Sequence, residues 1–211
     1  MKKIILLSIL FSMVLILVGC NNNEEIIFHK TKYKYIDFVD LNLREGQINK
    51  YGKKIGKIYS SDVYKINGLD SKKIVYCDLT QGMSDGEPFG VYASKDIKLR
   101  NLKDFKPSRL KIYYYPLSTE KERERLIYTT NDLKIVKKIE HSIEKGTPIS
   151  DKKMNKIKIK IEYTIEFESS LYPHLLVSEG YIEGKNHKYY TDYNGRYYKI
   201  DKTISNYILN P

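Results

Sequence analysis

The clearest alternation of apolar and polar positions in the chain lies between Lys156 and Ser169, in the stretch KIKIKIEYTIEFES. The apolar positions of this stretch are Ile157, Ile159, Ile161, Tyr163, Ile165 and Phe167. Lysine, glutamate and threonine occupy the positions between them. Because successive side chains of a β-strand point to opposite faces, the pattern predicts a strand with one face on a core and the other in water.

A helical period precedes this strand, between Asn131 and Pro148. The predicted buried face comprises Ile135, Val136, Ile139 and Ile143. Asn131 is the predicted N-cap, because its side chain can accept hydrogen bonds from the first free N–H groups of a helix. Gly146 and Pro148 are predicted to end the helix.

Short strand-like segments fill most of the remaining chain. In the first half they are KYKYIDFVDL, IGKIYS, DVYKING, KKIVYCDLT and PFGVYASK, with a predicted turn at NGLD, residues 67–70. In the second half they are RLKIYYY, LLVSEGYIEGK, HKYYTDY and RYYKID, with a tight turn at YNGR, residues 193–196. A single helical turn is expected before Pro107, and the glycine-rich EGQINKYGKKIG is expected to be a loop or one short turn.

These elements predict an α+β, β-rich fold, in which an antiparallel meander is followed by a helix packed on an antiparallel sheet. The meander is expected to curl toward a small barrel. We divide the chain into a signal peptide (1–19), a lipidated cysteine with a polar tether (20–31), an antiparallel β subdomain (32–112) and a helix-plus-antiparallel-sheet subdomain (113–211).

The N-terminus carries a different pattern, a mostly apolar run broken only by Ser8 and Ser12. Lys2 and Lys3 precede the mostly apolar residues 4–18. The run is shorter than the roughly 20 residues that a membrane-spanning helix needs, and its length is typical of a signal-peptide core. An uncleaved N-terminal anchor is the alternative.

The residues that close this run, LVGC, resemble the lipobox of bacterial lipoproteins. In that motif an apolar residue, here Leu17, and two small or β-branched residues, Val18 and Gly19, precede a cysteine, here Cys20. The resemblance implies that diacylglycerol is attached to the Cys20 sulfur and that the chain is cleaved before it. The implied location is the outer face of the cell membrane, where two acyl chains give stable anchoring.

The net charge of +11 comes mostly from lysine. Nucleic acid is not an expected partner for a protein outside the membrane. The expected partners are the membrane, through the diacylglyceryl anchor, and either an anionic envelope polymer or a protein. The abundance of lysine, isoleucine, asparagine and tyrosine also fits the A/T-rich codons of a low-GC genome, so selection for charge is not required.

Motifs that carry chemistry are sparse. His29, His141, His174 and His187 are isolated and lack metal-ligand spacing, and no cofactor or metal is expected. There is no GxSxG, Walker or GxGxxG motif. Cys77, in the strand-like KIVYCDL, is expected to be a small buried residue and not a nucleophile.

Tyrosine supplies the best candidate binding surface, among the 20 tyrosines of the chain. The candidate surface consists of Tyr189, Tyr190, Arg196, Tyr197 and Tyr198. Flat amphipathic rings beside cationic side chains are typical of carbohydrate-stacking and protein-binding sites. The alternative is structural, because adjacent tyrosines of a strand point to opposite faces and one of each pair would pack in the core.

The order IYSSDVYKINGLDSKKIVYC, DIKLRNLKD and TTNDLKIVKKIEHSIEKG, followed by tyrosine-rich strands, is similar to small lipoproteins of low-GC Gram-positive bacteria. The similarity implies a location and a compact β-rich ectodomain, and it implies no catalytic residue. The sequence therefore favours a non-enzymatic binding or interaction module at the cell envelope. A small extracytoplasmic hydrolase, with a site assembled only in the fold, is the alternative.

Overall fold

The computed structural model describes residues 25–43, 48–79, 87–115, 124–185 and 187–208. The predicted signal peptide, the lipobox and Cys20 lie outside these residues. Every described strand pair is antiparallel. The predicted fold class, α+β and β-rich, is confirmed.

The first sheet has the strand order β1-β2-β7-β6-β5-β4. Its strands are β1 (Glu25–Phe28), β2 (Thr31–Tyr35), β4 (Gly52–Ile58), β5 (Ser61–Ile66), β6 (Ile74–Leu79) and β7 (Gly90–Ser94). The edge strands β1 and β4 lie close together. The Phe28 ring of β1 is so near Gly56 of β4 that a Cβ atom added to the glycine would lie 2.8 Å from the ring. The sheet therefore curls around a buried cluster that includes Val63, Val75 and Cys77.

The second sheet has the order β10-β14-β13-β12-β11-β8-β9, and β3 pairs with the free side of β12. Its strands are β3 (Asp40–Leu41), β8 (Arg109–Tyr115), β9 (Arg125–Thr130), β10 (Thr147–Ile149), β11 (Ile159–Ser169), β12 (Tyr172–Gly184), β13 (Lys188–Thr191) and β14 (Tyr197–Ile200). The helices are α1 (Ile48–Tyr51), α2 (Leu102–Phe105), α3 (Leu133–Glu144), α4 (Asp151–Met154) and α5 (Ser205–Ile208).

The predicted helix is α3, and its apolar face packs on the second sheet. Val136, Ile139 and Ile143 are buried in the main core. The N-cap is Asp132 and not Asn131, because the Asp132 carboxylate accepts a hydrogen bond from the Lys134 N–H at 2.8 Å. Both residue types can cap a helix, so the spacing of the apolar residues left the cap uncertain by one position.

The strand predicted from strict alternation is β11, which begins at Ile159. Ile165 and Phe167 are buried as expected, but so is Glu166, on the face predicted to lie in water. Lys111 of β8 lies directly opposite Glu166 and is itself buried. The Lys111 ammonium lies 2.6 Å from Glu168, the next glutamate along β11, so this part of the polar face has little contact with solvent.

The two sheets share one hydrophobic core, so the predicted subdomains are not separate packing units. The core contains Val91 of the first sheet, Leu110 and Tyr163 of the second, and Val136 of α3. The predicted boundary between residues 112 and 113 falls inside β8. The second half of the predicted tether (20–31) is part of the fold, because residues 25–28 form β1, where Ile26 is buried.

Candidate functional site

Tyr189 and Tyr190, two members of the predicted tyrosine surface, point to opposite faces of the second sheet. Tyr190 is buried in the main core and stacks on Tyr198, with ring centroids 4.7 Å apart and planes at 11°. Tyr189 is buried on the other face, in a small cluster with Met154 and Ile182.

The remaining two members are also divided. Tyr197 packs against the cluster that contains Tyr189. Arg196 donates to the Asp192 carboxylate through Nε and Nη2, both at 2.8 Å. The structure therefore does not bring the five residues together as one binding surface. Strand alternation divides each tyrosine pair between two faces, and the rings contribute mainly to packing.

A row of tyrosines that the sequence reasoning missed crosses the core side of the second sheet. Tyr114, Tyr163, Tyr181, Tyr190 and Tyr198 lie in register on five adjacent strands. Burial raises the pKa of Tyr163 and of Tyr190, so these hydroxyls stay protonated. The row accounts structurally for many of the tyrosines, because aromatic pairs across strands stabilise a sheet.

A cleft lies where the first sheet meets the hairpin between β11 and β12. We call it the junction cleft and define it by Asn42, Tyr51, Arg109, Lys111, Glu168 and His174. Its volume is about 440 Å³. These residues come from four separate parts of the chain, namely the end of β3, helix α1, the start of β8 and the β11–β12 hairpin.

Backbone hydrogen bonds fix the position of these four segments. The Asn42 N–H donates to the His174 carbonyl at 2.8 Å, which extends the β3–β12 pairing. The Asn67 N–H donates to the Tyr51 carbonyl at 2.7 Å, which holds the end of α1 against the β5–β6 connection. Gly68 of that connection, with φ of +78°, packs against Pro173 of the hairpin so closely that a Cβ atom would lie 2.8 Å from the proline ring.

Positive charge dominates the junction cleft. Lys50, Arg109 and Lys111 line it, and Glu168 is the carboxylate among its lining residues. Lys111 Nζ lies 2.6 Å from Glu168 Oε1, and Arg109 Nη1 lies 3.6 Å from Glu168 Oε2. Glu168 thus balances part of the charge of Lys111 and Arg109, and the cleft is suited to a negatively charged ligand.

Two polar atoms of the cleft have no hydrogen-bond partner among the described residues. They are the Tyr51 hydroxyl oxygen and Asn42 Oδ1, and both atoms are buried. Tyr51 is 6 % exposed. Because a buried polar group without a partner is costly, these atoms are candidates for hydrogen bonds to a ligand that carries both donors and acceptors.

The serines near the cleft have structural hydrogen bonds. Ser169 Oγ donates to the Lys106 carbonyl at 3.0 Å and accepts from the Leu171 N–H. Ser108 Oγ accepts from the Ser170 N–H at 2.9 Å. In these contacts neither serine hydroxyl is hydrogen-bonded to His174.

Metal binding and thiol chemistry receive no support from the described residues. Within the described ranges, no group of three or more His, Cys, Asp or Glu side chains is placed to hold a metal ion. Cys77 is fully buried inside the curled first sheet, as expected for a small packing residue. Burial raises the pKa of its thiol to about 12, so Cys77 remains protonated and unreactive.

The chain matches no protein-family model, no curated protein and no solved structure. No helix in the described part of the chain has both the length and the hydropathy of a membrane-spanning segment. Sequence reasoning missed the junction cleft because its residues are ordinary surface types from distant segments, which the β3–β12 and β8–β11 pairings help to bring together.

Proposed function

We propose that the chain is a lipoprotein, held at the outer face of the cell membrane through a diacylglyceryl group on Cys20. Its folded part is a non-enzymatic module that binds an anionic component of the cell envelope. The LVGC motif after an apolar run supports the anchor. The junction cleft, with three cationic side chains around one carboxylate, supports the binding role.

The chemistry of the cleft favours a phosphate-bearing polymer as the ligand. Phosphate groups complement the Arg109 guanidinium, while hydroxyl groups of the same polymer can donate to Asn42 Oδ1 and accept from the Tyr51 hydroxyl. Arginine suits this role because its planar guanidinium can donate two parallel hydrogen bonds to one phosphate.

The binding test is co-sedimentation of the protein with purified phosphate-rich wall polymer at low and high salt. We expect retention at low salt and release at high salt, because salt screens interactions between exposed charges. Arg109→Gln is expected to weaken retention about fivefold, since a half-exposed ion contact contributes about 1 kcal/mol. Arg125→Gln removes the same charge from an exposed position on β9 and is the matched control.

Two outcomes would contradict the binding role. The first is no retention of the wild-type protein at low salt. The second is an equal loss of retention in Arg109→Gln and Arg125→Gln, which would indicate general charge attraction without a site. The anchor is tested separately by the mass of the N-terminal peptide from membranes, which should begin at Cys20 and carry the diacylglyceryl group.

One observation favours a second candidate, a small extracytoplasmic hydrolase. The His174 imidazole lines the junction cleft, 5.3 Å from the Tyr51 ring between centroids. If this imidazole is a general base, incubation with the wall polymer releases soluble fragments, and His174→Gln abolishes their release while retaining binding. Intact polymer after prolonged incubation would leave the binding module as the function.

A further inference from the structure

The proposed anchor lies very close to the first strand of the fold. Five peptide units separate Cys20 from Glu25, the first residue of β1. A fully extended chain of this length spans at most about 17 Å, at about 3.4 Å per residue. If Cys20 holds two acyl chains in the membrane, the start of β1 is therefore held near the lipid headgroups.

The hairpin of β1 and β2 has one buried and one exposed face. Ile26, Phe28 and Tyr33 point inward and are buried in the core of the curled first sheet. The opposite face, which we call the hairpin outer face, consists of Glu25, Ile27, Lys32 and Lys34. Glu25 pairs with Lys34 and Ile27 pairs with Lys32, so the four side chains form one contiguous patch.

The hairpin outer face carries more positive than negative charge. Glu25 forms an ion pair with Lys32. The hydrogen bond that Lys32 donates to the Glu25 carboxyl lowers the pKa of this carboxyl, and the nearby charges of Lys95 and Lys34 lower it further. Three ammonium groups thus surround one carboxylate at the first residue of β1.

An exposed apolar side chain lies in the middle of these charges. Ile27 is 71 % exposed, although it lies in a strand of a sheet with a well-packed inner face. A single exposed isoleucine is common on protein surfaces. Lysines around an apolar side chain are also the composition of surfaces that rest at the boundary between lipid headgroups and acyl chains.

We infer that the hairpin outer face rests on the anionic headgroup layer of the membrane, with Lys32, Lys34 and Lys95 beside lipid phosphates and Ile27 directed toward the interface. The inference rests on the lipid anchor of the proposed function and is independent of the junction cleft. Each lysine near an anionic surface favours contact about fivefold, which corresponds to about 1 kcal/mol. The anchor raises the local concentration of the patch at the membrane, so weak contacts suffice to orient the domain.

The test is lysine acetylation of the lipidated protein, recovered from membranes and reconstituted into vesicles. Vesicles of phosphatidylcholine alone are compared with vesicles that also contain phosphatidylglycerol, and acetylated lysines are quantified by mass spectrometry. We expect Lys32, Lys34 and Lys95 to react several-fold more slowly on the anionic vesicles, with the protection lost at high salt. Lys152 and Lys153 of α4 should react equally on both.

A pair of variants with equal charge changes separates orientation from general attraction. Replacement of Lys32, Lys34 and Lys95 by glutamine should make the neighbouring Lys30 react equally fast on the two kinds of vesicle. Replacement of Lys134, Lys152 and Lys153 by glutamine should leave that difference unchanged. Thermal unfolding of both variants verifies that the fold is retained.

The outcomes distinguish this inference from the anchor. Protection confined to the three lysines and the neighbouring Lys30 supports the orientation. Equal acetylation on both kinds of vesicle, or protection of Lys152 and Lys153 instead, overturns the orientation while the lipidated N-terminal peptide still supports the anchor. An unmodified Cys20 in the membrane-derived peptide overturns the anchor, and the orientation with it.

Discussion

Replacing Glu179 with glutamine is expected to stabilise the protein at neutral and alkaline pH. Glu179 lies on β12, on the core side of the second sheet, and is 7 % exposed. Its Oε2 atom has no hydrogen-bond partner among the described residues. Burial, with a smaller contribution from the negative charge of Asp192, raises the pKa of the Glu179 carboxyl from 4.5 to about 8.

The direction of the pH effect follows from which state holds the proton. Below pH 4.5 the carboxyl is protonated in both the folded and the unfolded chain, so it does not penalise folding. Between pH 4.5 and about 8 the unfolded chain loses this proton while the folded chain retains it, so stability falls as pH rises. Above about pH 8 the folded state also ionises, and the loss reaches its full value.

The magnitude follows from the displacement of the pKa. A change from 4.5 to about 8 corresponds to about 5 kcal/mol of unfolding free energy, at about 1.4 kcal/mol for each tenfold change in proton affinity. Glutamine has nearly the same shape and does not ionise. The Glu179→Gln variant should therefore match the wild type below pH 4.5 and exceed it by up to about 5 kcal/mol above pH 8.

Urea unfolding followed by circular dichroism across this pH range measures the effect. Glu144→Gln, at an exposed position of α3, is the control and should show no comparable gain. Parallel pH profiles for wild type and Glu179→Gln would refute the reasoning. A Glu179→Gln variant that is less stable than wild type at alkaline pH would refute it as well, because the carboxylate would then have a favourable partner.

Three further predictions concern the cleft and the first sheet. Tyr51→Phe should weaken retention on wall polymer in the co-sedimentation assay. It should change the free energy of unfolding by less than about 1 kcal/mol, because the hydroxyl has no partner among the described groups. Gly56→Ala should lower stability by about 1 to 3 kcal/mol in urea titrations, since the new Cβ would meet the Phe28 ring at 2.8 Å, and Phe28→Leu in the same chain should recover part of the loss. Burial raises the pKa of the Cys77 thiol to about 12, so Cys77 should react with a disulfide reagent only after unfolding. Rapid labelling of the folded protein would contradict its burial.

The elements that could be predicted from sequence are those whose apolar period is long and regular. β11 alternates over most of its length, and α3 presents Val136, Ile139 and Ile143 on one face. Both follow from local geometry alone. The burial of Glu166 could not be predicted, because it depends on Lys111 of β8 lying directly opposite, which requires the register between two strands.

The candidate site lies beyond this local information. The tyrosine pairs and the alternation that divides them between two faces could both be predicted from the sequence. Only the cross-strand register shows that the tyrosines of one face form a continuous row. The junction cleft has no motif, because Tyr51, Arg109 and His174 belong to distant segments. Arg109 is brought to the cleft by the pairing of β8 with β11, and Tyr51 by the hydrogen bond from the Asn67 N–H. The pairing of β3 with β12 adds Asn42, and a two-residue strand such as β3 has no readable period.

The pairing of β3 with β12 has a consequence for how the chain reaches its native state. Leu41 and its partner Leu175 are separated by most of the chain, and every strand of the first sheet except β1 and β2 is synthesised between them. Contacts between such distant residues close large loops and form slowly. If the chain is exported as the proposed lipoprotein, its N-terminal end emerges first, and Leu41 then has no partner until β12 follows. We therefore expect the completion of folding to coincide with the end of translocation and to require protection of the early strands until then.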